Sequence, residues 1–482
     1  LLDRLTALIE SHLVKRHDGA GGQTRYTMLE TVREFAAEGL ASSGEADAVA
    51  ARHAGWCMHF AAQQGGALRG NQRAAALAAL QLERGNLHAA LQHLIHVRRD
   101  ALEASRLCGD LAWWWYFSGS MIEGRQWQDA ALTLPAPEAA SSEARAEFCR
   151  QRSRNLSGVC KLHFYLGDSE SALAAGHEAV TLARGGSDRE ALAYALYHLA
   201  LPMRRQSAAA CIGLHDEART IFAALGDRWG EALVVSYGGI PLAFDATRSA
   251  EAERRLGAGQ ALFNHLGDAW GATIADQYLS VMALRQGDLA QARQRGQRVH
   301  DAALALDDGF RTASALHQLA RVAIAEGHWQ EAEATLLRAV RVNADQGRLG
   351  YAGKLLRQAA RLLVRRGQAR LAARVFGAAA VDRGPVQMPV ILAEEDEACD
   401  AARESARERL RGRAVRVPAG ARIRRWTRAT AAVSRPRLPA RCTQARWSRR
   451  WPVGSTHARA VAAGCCASRT SMGRAAWRAW TP

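Results

Sequence analysis

The chain has 482 residues, with 64 Lys or Arg against 47 Asp or Glu, a formal charge of +17, and a hydrophobic content of 48%. That length admits about three domains at ~150 residues each, and the composition excludes a disordered protein. The charge is local, however: residues 411–482 hold 17 Arg and no Lys, Asp or Glu, which leaves 47 basic and 47 acidic residues in 1–410. The body is therefore neutral, and the basic total says nothing about nucleic-acid binding by it.

The longest wholly apolar run, Leu111–Phe117, is far shorter than the ~18 residues of a membrane span. No basic segment leads into an apolar one at the start, so no secretory signal is read. Nine cysteines without a CxxC pair suit a reducing cytosol, with Cys57, Cys108, Cys160 and Cys211 as small core hydrophobes. The expected location is cytoplasmic. Leu1 sits inside a helical pattern, and the chain is expected to begin partway through a larger protein.

In chain order, residues 1–44 come first. Leu1, Leu2, Leu5, Leu8 and Ile9 share a helical face. Two short β-like runs follow, His12–Arg16 and Thr24–Leu29, separated by Gly19-Ala20-Gly21-Gly22, which is a hairpin signal. Glu30–Ala41 resumes helical spacing. Helix, hairpin, helix is the closing half of a winged-helix module. The first helix carries Arg4 against Asp3 and Glu10, so it lacks the cationic face that phosphate contact needs. Packing between domains is the expected role.

Residues 45–145 predict a helical linker domain. The aromatic run Trp113-Trp114-Trp115-Tyr116-Phe117 could hold an apolar ligand, but reads as core, since each ring buries ~150–250 Å². His88, His93 and His96 fall on one helix and are read as surface histidines, because no Cys or carboxylate joins them at ligand spacing.

Residues 146–410 carry a repeat. Gly287, Gly327 and Gly367 mark breaks spaced evenly at 40 residues, and Gly167 lies three such periods upstream of Gly287. Ser207 and Thr247 keep the register where the glycine is missing. An alanine stands five positions after most breaks: Ala172, Ala252, Ala292, Ala332 and Ala372. A second marker, Leu225-Gly226-Asp227-Arg228-Trp229-Gly230, recurs as Leu266-Gly267-Asp268-Ala269-Trp270-Gly271 and continues as Leu306–Phe310. Glycine ends one helix in a left-handed conformation that other residues resist. The small alanine admits a close helix neighbour, and Trp229 and Trp270 fill the space between repeats. One pair cannot bury its own apolar face, so pairs must stack. The predicted fold is all-α, a superhelical solenoid of tetratricopeptide-like helix pairs preceded by the partial winged helix.

An acidic-then-basic helix, Ala393–Leu410, closes this segment; Glu394, Glu395, Asp396 and Glu397 read as its solvated face rather than an acid/base pair. Beyond it, 411–482 contain five Trp, five Pro and three Cys but no Asn, Phe or Tyr, and too few aliphatic residues for a core. Translation out of frame through GC-rich DNA accounts for so abrupt a change. The rival reading is an arginine-rich arm whose Trp426, Trp447, Trp451, Trp477 and Trp480 stack on bases. Either way the tail is expected to be disordered and to bind polyanions in a salt-dependent manner.

Catalytic signatures are missing from the sequence: no HExxH, no GxSxG, and no GxxxxGK[ST]. The single Gly-Lys, Gly353-Lys354, lacks the glycine five positions earlier that a phosphate loop needs. No catalytic, cofactor or metal residue is assigned.

The strings LLDRLTALIESHLVKR, TRYTMLETVREFAAEGLASSGE, RHAGWCMHFA, LERGNLHAAL and WWWYFSGSMIEGRQWQDAAL, in that order, resemble the bacterial signal-transduction ATPase (STAND) transcriptional regulators, MalT-like or LuxR-type. The resemblance covers 1–410. It departs at Gly85, where that family has an acidic residue before the asparagine. It implies an ATPase upstream of Leu1, hence ATP only in that absent module, and a helix-turn-helix for DNA that is not readable here. It also implies that the repeats take a protein or small-molecule inducer, without a membrane partner. The alternatives are a free-standing repeat scaffold and a nucleic-acid binder acting through the tail.

Overall fold

In a computed structural model the described residues are 2–18, 24–138, 141–345, 351–381 and 400–405. The Gly19–Gly22 turn, the acidic run 394–397 and the whole tail 411–482 lie outside them. The molecule divides into two compact units, residues 1–275 and 276–482.

The first unit opens with α1 (Leu2–Glu10), the antiparallel pair β1 (Val14–Asp18) and β2 (Thr24–Met28), and α2 (Glu30–Ser42). The register runs from Val14 opposite Met28 to Asp18 opposite Thr24. Little of this segment is buried: Val14 is, α2 buries no residue, and Phe35 is 78% exposed. Arg25 ties the hairpin to the next segment, donating from Nη2 to Glu83 Oε1 at 2.5 Å and to the Leu82 carbonyl at 3.3 Å.

Helices then follow with short connections: α3 (Ala46–Ala67), α4 (Arg73–Leu82), α5 (Arg84–Gln92), α6 (Ala101–Phe117), α7 (Met121–Leu132), α8 (Ser142–Leu166), α9 (Ser169–Arg184), α10 (Arg189–Met203), α11 (Ala208–Leu225), α12 (Arg228–Gly239), α13 (Ser249–His265) and the start of α14 (Ala269–Gln286). From α8 onward most connections are two to four residues long, which forces consecutive helices to run antiparallel and pack as pairs. The second unit holds the remainder of α14, then α15 (Leu289–Ala305), α16 (Gly309–Ala325), α17 (Trp329–Asp345), α18 (Ala352–Arg365) and α19 (Ala369–Val381). Its core is built from Leu316, Ala332, Leu336, Leu355, Ala359, Leu363 and Phe376. The fold is all-α, of tetratricopeptide-like helix pairs, with one small hairpin.

The repeat markers have a local physical basis. Gly167, Gly287, Gly327 and Gly367 all take positive φ, between 73° and 99°. Gly226 and Gly267 do the same at the second marker, and Asp307 (φ 50°) occupies that place in Leu306–Phe310 without being glycine. The next residue starts a helix: Asp168, Asp227, Asp288 and Asp308 each accept the backbone N–H three positions on, satisfying a donor that a helix start leaves open. Ser207 caps α11 in the same way. Around Thr247 two 3-10 turns, Leu242–Phe244 and Ala246–Arg248, replace the simple break, with Asp245 Oδ1 accepting from the Thr247 N–H at 2.9 Å.

Ala172, Ala252, Ala292, Ala332 and Ala372 are all fully buried. The last glycine of the marker has a steric role as well. A Cβ on Gly271 would lie 2.1 Å from Phe263, and one on Gly230 would lie 2.5 Å from Phe222. The preceding helix therefore lays a phenyl ring directly on the backbone of the next.

One sequence reading needs correction. His88, His93 and His96 were expected at the surface, yet His93 is 7% exposed. It opens a π turn, His93–Val97, closed by Arg98 N–H on the His93 carbonyl at 2.8 Å. His93 is thus buried beside Leu94 and Ile95.

Candidate ligand site in the first unit

The aromatic run on α6 forms the heart of the first unit. Trp114 and Trp115 are completely buried, and Trp113 and Tyr116 nearly so. Trp113 stacks near Tyr197 and meets Trp229 edge-on at 5.3 Å between centroids. Phe117 meets Trp270 edge-on at 5.0 Å. These rings come from α6, α10, α12 and α14, so the two marker tryptophans join one cluster with the linker helix.

Lys161 of α8 lies inside this cluster, with no exposed surface. Its Nζ stands 3.3 Å from the Trp113 ring centroid and 4.9 Å from that of Tyr116, and makes no hydrogen bond. Burial drives its amine well below the ordinary lysine range. His198 lies near it. Its Nδ1 is 2.6 Å from Ser157 Oγ, and its Nε2 has no partner. Burial, and then the neighbouring Lys161, push its imidazole well below the usual value, so it is neutral.

A second feature ties the linker to the repeats. Arg73, at the start of α4, donates from Nη1 and Nη2 to both oxygens of Asp268, at 2.9 and 2.7 Å. Its guanidinium lies against both the Phe117 and Trp270 rings, 4.6 and 4.8 Å from their centroids. Asp268 also accepts from Trp229 Nε1 at 2.7 Å and from the Gly271 N–H at 3.1 Å. Although burial raises its carboxyl, these bonds, those from Arg73 foremost, hold it below the ordinary range. Trp229 is thus a hydrogen-bond donor as well as filler. Four residues before Arg73, Arg69 donates to Glu190 at 2.8 Å and to Tyr194 Oη at 2.7 Å. Tyr194 in turn donates to Asp227 at 3.0 Å. Two successive repeat markers are therefore tied to the α3–α4 corner, Asp268 directly by Arg73 and Asp227 by Arg69 through Tyr194.

Beside this corner is a cavity of about 190 Å³, lined by α3, α6, α8 and α10. Its walls carry Arg69, Arg150 and Arg154 opposite Asp110, Asp188 and Glu190, with Trp113, Tyr194 and His198 among its lining. Arg154 Nη2 bonds Asp110 Oδ1 at 3.0 Å, and burial raises the Asp110 carboxyl despite that partner. A larger groove of about 810 Å³ shares Arg150, Asp188 and Ala191 with it. None of the repeat-turn and packing positions, Gly167, Gly287, Gly327, Gly367, Ala172, Ala252, Ala292, Ala332, Ala372, Trp229 and Trp270, lines the cavity. The residues that do line it carry no motif, and only the aromatic run on α6 pointed toward them.

In the second unit Glu326, His328 and Glu331 approach within 4.8 Å of one another. Arg293 bonds both glutamates, so these carboxylates already belong to an ion-pair network. Among the described residues no helix is long and apolar enough to cross a membrane.

The family model of anaphase-promoting complex subunit 5 matches residues 153–206 and 277–356, well under half of the chain. Over 317 residues the chain is 28% identical to Putative HTH-type transcriptional regulator Rv0890c of Mycobacterium tuberculosis, covering 64% of this chain and 34% of that protein. The same values hold for a Mycobacterium bovis counterpart. The chain is thus similar to HTH-type transcriptional regulators and spans about a third of the length of these curated relatives. Among solved structures, a Rap protein complexed with competence and sporulation factor superposes with a TM-score of 0.41 at 11% identity, over 64% of this chain and 99% of that one. A STAND protein with a tetratricopeptide-repeat sensor from Pyrococcus horikoshii gives 0.39 at 14% identity, over 83% and 60%.

Proposed function

We propose that the chain is the sensor and protein-interaction arm of a bacterial, cytoplasmic transcriptional regulator of the MalT-like or LuxR-type STAND class. The arm carries no catalysis of its own. A protein or small-molecule inducer binds the helix pairs and biases an ATP-controlled switch in a module outside this chain, and DNA is contacted by another module. The observation that carries this reading is the similarity to HTH-type regulators over 317 residues. The linkage of the α3–α4 corner to two repeat markers, directly at Asp268 and through Tyr194 at Asp227, supports it mechanically, because a change at the markers is felt in the linker.

The test is a promoter reporter driven by the full-length regulator encoded at this locus. Replacing residues 146–381 by a flexible linker should make transcription independent of inducer while DNA binding persists. Retained induction would refute the reading. A second reading rests on the tail's 17 Arg and five Trp: binding of single-stranded nucleic acid. Truncation after Leu410 should then abolish nucleic-acid retention at low salt, and unchanged retention excludes it.

A further inference from the structure

The cavity beside the α3–α4 corner is shaped by small residues. Ala62, Gly65 and Gly66 of α3, Gly109 of α6 and Gly158 of α8 face it. At Gly65 and Gly158 there is no room for a side chain: a Cβ would lie 2.5 Å from the Asp110 carbonyl oxygen at the first and 2.4 Å from Gln128 Nε2 at the second. At Gly66 a Cβ would meet nothing within 4 Å. The space is thus closely packed at Gly65 and Gly158, with open room at the Gly66 rim.

Its chemistry is balanced. Each wall arginine faces an acid: Arg69 with Glu190, Arg154 with Asp110, and Arg150 with Asp188 at 3.7 Å. A ligand with net charge would leave one of these partners uncompensated in a partly buried site, which is costly. A zwitterion can be inserted between the members of such pairs, giving carboxylate to guanidinium and ammonium to carboxylate. The lining also offers the Trp113 ring and the neutral His198, whose Nε2 has no partner within the protein. At about 190 Å³ the cavity lies below the ~300 Å³ at which pockets for drug-sized molecules begin. A nucleotide or an oligosaccharide does not fit.

We propose that this cavity binds a free α-amino acid, its ammonium and carboxylate set among Arg69, Arg154, Asp110 and Glu190 and its side chain toward Trp113 and His198. The proposal deepens, and rests on, the reading of the chain as a sensor arm. A ligand held there touches α3 and three helices behind it at once, so it would fasten the linker to the helix pairs.

The experiment is a thermal-melt and calorimetric screen of the full chain against the individual proteinogenic amino acids, with maltotriose and ATP as probes of other ligand classes. One amino acid or a related group should raise Tm by several degrees at saturating concentration. Two variants locate the effect. Gly66→Leu fills the rim from a helical position with open space, and should melt at or above the unaltered chain while losing the ligand-induced shift. His198→Phe keeps the ring volume and should weaken binding at least about tenfold. The proposal is overturned if no amino acid shifts Tm, or if a shift survives unchanged in both variants. In each of those cases the inducer-dependent reporter still judges the sensor-arm reading separately, because it needs no knowledge of which cavity the inducer enters.

Discussion

Arg73 and Asp268, 195 residues apart in the sequence, form a two-pronged ion pair in which the carboxylate is wholly inaccessible and the guanidinium is 8% exposed. The pair lies against two aromatic rings and joins the linker domain to the connection between α13 and α14. Removing one partner strands the other in a low-dielectric site. Arg73→Met should therefore lower unfolding free energy by about 3–5 kcal/mol, seen as a lower urea midpoint. The double change Arg73→Met with Asp268→Leu removes the stranded charge but leaves Trp229 Nε1 and the Gly271 N–H without their acceptor, so it should recover only part of that loss. A single variant with an unchanged midpoint would show that the pair adds nothing to the fold.

Lys161 gives a pH-dependent prediction. Its amine is buried without a hydrogen-bond partner, and its folded-state pKa is depressed by burial. In the unfolded chain it binds a proton up to the ordinary value of about 10.4. Between its depressed folded-state pKa and that value the unfolded state holds more protons than the folded state, so stability rises with pH across that window and levels off on either side of it. Lys161→Met should accordingly raise Tm at pH 7, with a gain that shrinks as pH approaches 10. A gain independent of pH, or a loss, would contradict a neutral buried amine.

The turn glycines and Asp307 make opposite predictions. Gly287 has φ 83° and open space around a Cβ, so Gly287→Ala tests backbone conformation alone and should cost about 1–2 kcal/mol. Asp307 holds φ 50° against the same penalty. Asp307→Gly should be neutral to stabilising, by less than about 1 kcal/mol once the added freedom of the unfolded chain is counted. Chemical denaturation of the two variants side by side provides the measurement.

Ala332 is fully buried in the second unit, packed in the same core as Leu316, Leu336 and Leu355. Ala332→Arg places a long cation in that seam and should cost several kcal/mol, read as a large fall in Tm. Ala332→Gly should lose only about 1 kcal/mol, from helix propensity.

Much of the fold was legible because its rules are local. A left-handed glycine, a capping Asp or Ser, and an alanine at fixed spacing act within a few residues, and they recur with the repeat. Legibility failed where those rules bend: at Asp307, which does a glycine's work, and at His93, a polar residue that packing buries.

The sequence by itself determined the helix pairs, the small hairpin and the neutrality of the body, since each follows from composition or from neighbours within one turn. Tertiary structure alone decided that Lys161 is dry, that Trp229 donates to Asp268, that Arg69 and Arg73 reach two successive markers, and that a charged cavity lies between α3 and α10. Those facts depend on which residues 39 to 195 positions apart are brought together, and packing leaves no periodic trace of them along the chain.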